Sequence, residues 1–298
     1  MRSKYRVFYL LILLIFTSLV EAQQSEIFIF PHTIGRLFNF PTSRTLRSGD
    51  IQANLGSNFN DAGIENFSGN ITAGLFNFSE LQLSSSNSDI SIFDYKNELF
   101  QAGIKFSVLA ESVNFPGLAV GAKIQLGWNK NIFDASFLNN NAGDKFNSGL
   151  REVQFKQRKN LFYTVLSKRL FSTFNLHIGF RLYQLFIDEF TTAFDYGKNT
   201  YYNGKIKNNL TEFAGGFNFV LNGRTKFMIE IFSAPNFNIN TETGMLSINR
   251  KTLINAGMRT FMNEWFVIDY GLHYDDQYNK LENIQLRVGL SAFWNVKN

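Results

Sequence analysis

Ile284-Gln285-Leu286-Arg287-Val288-Gly289-Leu290-Ser291-Ala292-Phe293-Trp294-Asn295 separates into two interleaved sets. Ile284, Leu286, Val288, Leu290, Ala292 and Trp294 fall on one parity and Gln285, Arg287, Gly289, Ser291 and Asn295 on the other. Only Phe293 breaks the pattern. A period of two places one set on each face of an extended chain, so the segment reads as a β-strand with one apolar and one polar side. The stretch from Leu118 to Trp128 repeats it, with Leu118, Val120, Ala122, Ile124, Leu126 and Trp128 against Ala119, Gly121, Lys123, Gln125 and Gly127. Phe100, Ala102, Ile104, Phe106 and Val108 do so again.

Working outward, further strands are predicted at residues 174–187, 210–221, 225–234, 252–262 and 265–275, with 160–170 less cleanly patterned. Weaker segments at 49–58, 67–75 and 79–87, diluted by Gly and Ser, bring the expected total to twelve. The better segments run to about 10–13 residues, longer than the ~5–6 usual in soluble sheets and suited to the ~9–11 needed to cross a bilayer at a tilt. Links alternate in length. Short ones fall at 76–78, 110–117, 171–173, 222–224 and 263–264, and Asn222-Gly223 is a two-residue hairpin signal because both residues tolerate positive φ. Longer ones, rich in Asn, Gly, Asp, Ser and Thr, fall at 59–66, 88–98, 129–159, 188–209, 235–251 and 276–283.

The N-terminus carries Arg2, Lys4 and Arg6, an apolar run from Val7 to Phe16, and Val20-Glu21-Ala22, the arrangement of a cleaved export signal. Cleavage is expected after Ala22, leaving a segment 23–48 on the periplasmic side and a barrel over 49–298. The apolar run is too short for a helical anchor, which takes roughly 20 residues, and no later segment is long enough. Phe contributes 34 residues and Tyr 11, against 4 Pro and no Cys. High aromatic content with an unremarkable mean hydropathy of -0.11 fits a barrel that alternates lipid-facing and lumen-facing residues. The absence of Cys excludes disulfides and thiolate metal sites. The formal net charge of +5 shows no clustered basic stripe, so no nucleic-acid partner is expected. The competing fold is a soluble sandwich or barrel, which would turn the same apolar faces inward.

With its signal segment, its amphipathic hairpins and its last strand, the chain resembles bacterial outer-membrane β-barrel proteins of the porin-like type. The resemblance implies an all-β, antiparallel, up-and-down transmembrane barrel of about twelve strands in the bacterial outer membrane. It also implies contact with outer-membrane lipids including lipopolysaccharide, and engagement with the barrel assembly machinery through the final strand. Asn295 to Asn298 follow Trp294, where the family's signal usually ends in an aromatic residue. The run from Phe40 to Gly49 is similar to the entry into the first strand of such barrels, and 23–48, with Ile27, Phe28, Ile29 and Phe30, either folds into the barrel mouth or contacts a periplasmic partner. No motif of a sugar porin, fatty-acid channel or siderophore receptor occurs, and there is no room for a plug domain.

If the apolar parity faces lipid, then Lys105, Lys123, Gln125, Arg181, Glu230 and Asp269 face the lumen at mid-barrel. Such a belt either selects polar solutes by charge or forms ion pairs that fill a narrow barrel. Trp128 is expected at the outer interface, and Trp265 and Trp294 at the inner one. His273 with Asp269, Asp275 and Asp276 is the one acid-base constellation. No Gly-x-Ser-x-Gly, Walker or zinc-ligand spacing occurs, so no catalytic residue, metal or cofactor is expected. Three functions follow in order: a passive pore for small polar solutes, a non-conducting partner in protein or polysaccharide export, and an outer-membrane lipid or glycan hydrolase.

Overall fold

The computed structural model describes residues 34–60, 63–86, 99–134, 150–194, 199–202, 206–239, 246–276 and 284–296. The expected signal segment and cleavage point therefore lie outside the described residues. Fourteen strand segments form one antiparallel sheet: β1 (Asp50–Asn60), β2 (Gly63–Phe76), β3 (Ser79–Ser86), β4 (Leu99–Leu109), β5 (Gly117–Gln125), β6 (Asn129–Asp134), β7 (Leu150–Arg169), β8 (Phe174–Phe194), β9 (Asn199–Tyr202), β10 (Ile206–Val220), β11 (Thr225–Ile239), β12 (Leu246–Phe261), β13 (Phe266–Asp275) and β14 (Ile284–Asn295). β6 prolongs β5 along β7, and β9 prolongs β10 along β8, so the barrel has twelve strands. β1 closes it against β14, from Asp50 opposite Asn295 to Phe59 opposite Leu286. Both termini of the sheet thus sit at one end, which also carries the short links.

The break between β5 and β6 has a local cause. Gly127 has φ of 88°, a left-handed conformation that glycine adopts without steric cost and that cannot continue a strand. Gln125 bridges the break from inside, taking the Lys159 N–H at 2.8 Å and donating to the Gln157 carbonyl at 3.3 Å.

Facing separates the membrane barrel from the soluble alternative. Val120, Ile124, Leu126 and Trp128 are exposed on the outside, while Ala119 and Gln125 between them are buried. Leu286, Leu290 and Trp294 repeat the pattern against buried Gln285 and Ser291. A continuous apolar exterior of this kind is stable against acyl chains and not against water.

Several expected links are strand instead. Residues 150–159 and 188–194 prolong β7 and β8, 235–239 and 246–251 prolong β11 and β12, and the expected loop at 59–66 shrinks to the two residues between β1 and β2. In these outer portions Phe155 and Phe190 are buried against each other while Lys156 and Glu189 pair on the exposed side, so the lipid-facing apolar parity is missing. Main-chain pairing needs no such contrast, and the ladder simply continues.

Candidate functional site in the barrel lumen

The lumen is occupied by the chain itself. The segment 23–48 was expected on the periplasmic side or in the barrel mouth; its described part, 34–48, runs inside the barrel as a narrow hairpin. Arg36 bridges Pro41, Leu37 N–H donates to the Phe40 carbonyl at 2.8 Å, and Thr42 N–H to the Gly35 carbonyl at 2.8 Å, with Phe38 and Asn39 at the tip. Among the described residues these fifteen occupy the bore, and Leu37, Phe38, Phe40 and Leu46 are almost fully buried. Burial of each such side chain contributes about 1.5–3 kcal/mol.

Two glycines make the space. A Cβ on Gly179 would stand 2.6 Å from the Phe40 ring, and one on Gly216 would stand 2.5 Å from Leu37 Cδ1. Both distances are shorter than atoms tolerate, so these wall positions are matched to the hairpin's own side chains.

Buried backbone polar groups must find partners, and a hairpin inside a barrel cannot join the wall ladder. Lumen side chains serve it instead. Glu230 accepts from the Asn39 N–H at 2.9 Å, the Phe40 N–H at 2.8 Å and Asn255 Nδ2 at 2.7 Å. Lys105 pairs with Glu80 at 2.7 Å and also donates to the carbonyls of Gly35, at 3.1 Å, and Arg44, at 2.7 Å. Glu80 accepts the Leu46 N–H at 3.0 Å. Arg259 forks onto Asp269 with two bonds of 2.7 Å and reaches the carbonyls of Arg36 and Leu37 at 2.9 and 2.8 Å. Arg287 donates to Asn39 Oδ1 at 2.8 Å. Charge-assisted bonds of this kind are roughly twice as strong as neutral ones.

All six proposed lumen residues point inward. Lys105, Gln125, Arg181, Glu230 and Asp269 are buried, and Lys123 lines an interior cavity of about 20 Å³ with Asn39, Pro41, Leu161, Tyr163 and Arg181. A space of that size holds about one water molecule. The six do not form one ring around an open bore. Lys105, Glu230 and Asp269 are tied into the hairpin network, Gln125 braces the β5 break, and Arg181 lies over the rings of Phe40 and Phe232 at 5.2 and 4.7 Å. Trp128 is exposed at the end away from the termini, and Trp265 and Trp294 at the end that carries them.

The constellation drawn around His273 is not assembled. Asp269 is held by Arg259 and Asp275 by Lys251 at 2.7 Å, Asp276 accepts the Thr252 N–H, and His273 Nδ1 bonds Asn255 Oδ1 at 2.7 Å. A serine-histidine-asparagine set, unnoticed in the sequence, does occur. His177 Nδ1 lies 2.8 Å from Ser167 Oγ, and His177 Nε2 lies 2.9 Å from Asn218 Nδ2. Its bonds run the wrong way for a nucleophile. Asn218 Oδ1 accepts from Asn175, so its amide donates to Nε2, and Nδ1 carries the proton toward Ser167. Ser167 Oγ also accepts the Ser43 N–H at 2.8 Å and is buried, so the set anchors the hairpin stem.

Sequence reasoning missed Glu80, Asn255, Arg259 and the hairpin as partners. Two signals pointed to them: Phe293, the lone break in the last strand, and Leu37, Phe38 and Phe40, apolar residues in a segment that fits no strand. Phe293 faces the lumen and packs with Leu46, Phe261 and Val267 beneath the hairpin.

No protein-family model and no curated protein matches the sequence. Among solved structures, the fold is similar to the translocator domain of the autotransporter NalP from Neisseria meningitidis, at 9% identity over 82% of this chain and 86% of that one, with a TM-score of 0.46. It is similar to the NanC porin at 11% identity over 81% and 98%, with a TM-score of 0.47. It is also similar to the toluene transporter TodX of P. putida at 8% identity over 83% and 89%, with a TM-score of 0.37.

Proposed function

We propose that this chain is an outer-membrane barrel channel for small polar solutes whose closed state is held by its own hairpin at 34–48. The short-link end with both termini faces the periplasm, and the long strand ends project outward. The observation that carries the reading is the bonding of the hairpin. Its amides and carbonyls are held by lumen side chains rather than by ladder pairing, so it can leave without unzipping the wall. Lys123 and Arg181 beside the inner cavity are then the residues that set ion preference in the open bore.

Single-channel conductance in planar bilayers tests this, comparing the full chain with a variant lacking residues 34–46. The full chain is expected to stay closed and the shortened chain to conduct steadily. Lys123→Glu or Arg181→Glu, placed in the shortened chain, shifts its ion preference. A folded but silent shortened chain refutes the channel. That result would favour a barrel serving an export apparatus, a reading supported by the apolar packing of Leu37, Phe38 and Phe40 against the wall, which suits permanent filling.

A further inference from the structure

The outside of the barrel carries a feature that the lumen does not explain. Across β4, β5, β7 and β8, short Ala122 and Thr164 stand among Ile104, Val120, Phe162 and Phe180 and leave an external groove of about 440 Å³. Its size falls within the roughly 300–1,000 Å³ of ligand pockets. Its walls are apolar.

A basic and aromatic cluster lies in line with the groove, farther out on the same face. Arg158 sits between two rings, 5.2 Å from Trp128 and 5.0 Å from Phe186, and Lys207 lies 5.7 Å from Phe186 on its other flank. Stacking on both sides fixes the guanidinium plane. Lys156 is taken up by Glu189, with Asp188 opposite it on β8, whereas neither Arg158 nor Lys207 has a carboxylate partner among the described residues. Arg158 precedes Phe162 by four residues on β7, about 13 Å along a strand. Between cluster and groove, Asn160 of β7 stands opposite Gln184 of β8, both on the outer face. Amides on a lipid-facing wall are unfavourable unless headgroup atoms satisfy them.

We propose that this strip binds one phosphate-bearing lipid of the outer leaflet. The phosphate meets Arg158 and Lys207, headgroup hydroxyls and carbonyls meet Asn160 and Gln184, and an acyl chain lies in the groove over Ala122. The charge of the cluster complements the phosphate, and the cluster, the amides and the groove follow one another in the order of a lipid's own parts. The proposal rests on the outer-membrane placement above and is independent of whether the lumen conducts.

The test uses the folded full chain in neutral detergent, with native mass spectrometry counting retained lipid. The probes are a bisphosphorylated, multiply acylated glucosamine disaccharide, its phosphate-free counterpart and inorganic phosphate alone. One phosphorylated lipid is expected to be retained in preference to the phosphate-free counterpart, and inorganic phosphate is expected not to displace it. Arg158→Ala and Lys207→Ala should each weaken retention about fivefold. Ala122→Phe, which fills the groove and leaves both cations in place, should weaken it as well. Heat-modifiable gel migration shows that each variant is folded. Equal retention by all variants overturns the site, and displacement by inorganic phosphate overturns the groove as its acyl half. Failure of the wild-type chain to insert into phosphatidylcholine vesicles overturns the membrane placement and the site with it.

Discussion

The lumen wall of β14, β1, β2, β3 and β4 presents Gln285, Ser291, Gln52, Asn54, Thr72, Gln82 and Gln101 to the interior, whereas that of β7, β8 and β11 presents Val165, Tyr183, Leu185, Ile187, Phe232 and Ala234. All are buried to a similar degree, so the contrast is one of partners. The hairpin is built to suit both walls. Leu37, Phe38 and Phe40 share a cluster with Val165, Phe232 and Ala234, while its polar main chain is held from the other side by Lys105 and Glu80 and from this side by Glu230 and Ser167. The bore is a packed core with a few polar anchors along one wall and a hydrogen-bonded interface along the other.

The apolar wall yields the largest expected change in conductance. In Gly179→Leu the new side chain takes the place of the Phe40 ring, and overpacking of this kind costs about 1–3 kcal/mol. Because the hairpin is held less firmly than the wall, it should be the part that moves. Conductance should rise from a closed baseline to a steady current, with loss of amide-exchange protection at 37–46. If protection there persists while the whole barrel loses stability, the hairpin is as fixed as the wall and the proposed closed state is permanent.

On the opposite wall, Lys105→Met removes a cation from Glu80 and strands the carbonyls of Gly35 and Arg44. Removing one partner of a buried pair costs about 3–5 kcal/mol, because the remaining charge is uncompensated. The urea midpoint for unfolding from vesicles should fall accordingly, and the double variant Lys105→Met with Glu80→Leu should recover much of the loss. No recovery would mean that bonding to the hairpin, and not the pair, carries the energy.

These walls also mark what the sequence could and could not disclose. β14, β5 and β4 were legible because lipid on one face and polar groups on the other give full contrast at period two. β7 was less clear since Leu161, Tyr163 and Val165 face inward as apolar residues beside outward Phe162 and Leu166, so its parity nearly vanishes. The six lumen candidates follow from parity alone. Their partners Glu80, Asn255 and Arg259 share that parity, but nothing in one-dimensional spacing selects the pairs Glu80 with Lys105 or Arg259 with Asp269. Those come from strand register, which sets Glu80 opposite Lys105 and Arg259 opposite Asp269. The hairpin was hidden for another reason: it forms no ladder with the wall and leaves no periodic trace.

Phe293 brings the two lessons together. Phe293→Ser would restore strict alternation to the last strand, and on pattern alone it should be harmless. The structure sets the ring among Leu46, Phe261 and Val267, where removing an aromatic side chain costs about 3 kcal/mol or somewhat more. Equilibrium unfolding of the variant decides between them, and an unchanged midpoint would mean that the hairpin stem does not rest on this cluster.

The smallest effect belongs to the polar wall and sharpens the contrast most finely. Asn54 Nδ2 donates to Ser291 Oγ at 2.6 Å between neighbouring strands β1 and β14. In Asn54→Ala that neutral bond is lost, which costs about 1 kcal/mol where the partner can turn to another donor or acceptor. Gln52 lies two residues from Asn54 on the same face, so Ser291 has a polar group near it, whereas a side chain lost from the cluster of Val165, Phe232 and Ala234 would leave a gap lined by apolar groups. A measured loss near 1 kcal/mol therefore identifies an interface that can rearrange, as a displaceable hairpin requires. A loss of about 3 kcal/mol or more, the scale of a buried group left unsatisfied, would make this wall as rigid as the other and leave the hairpin no side from which to withdraw.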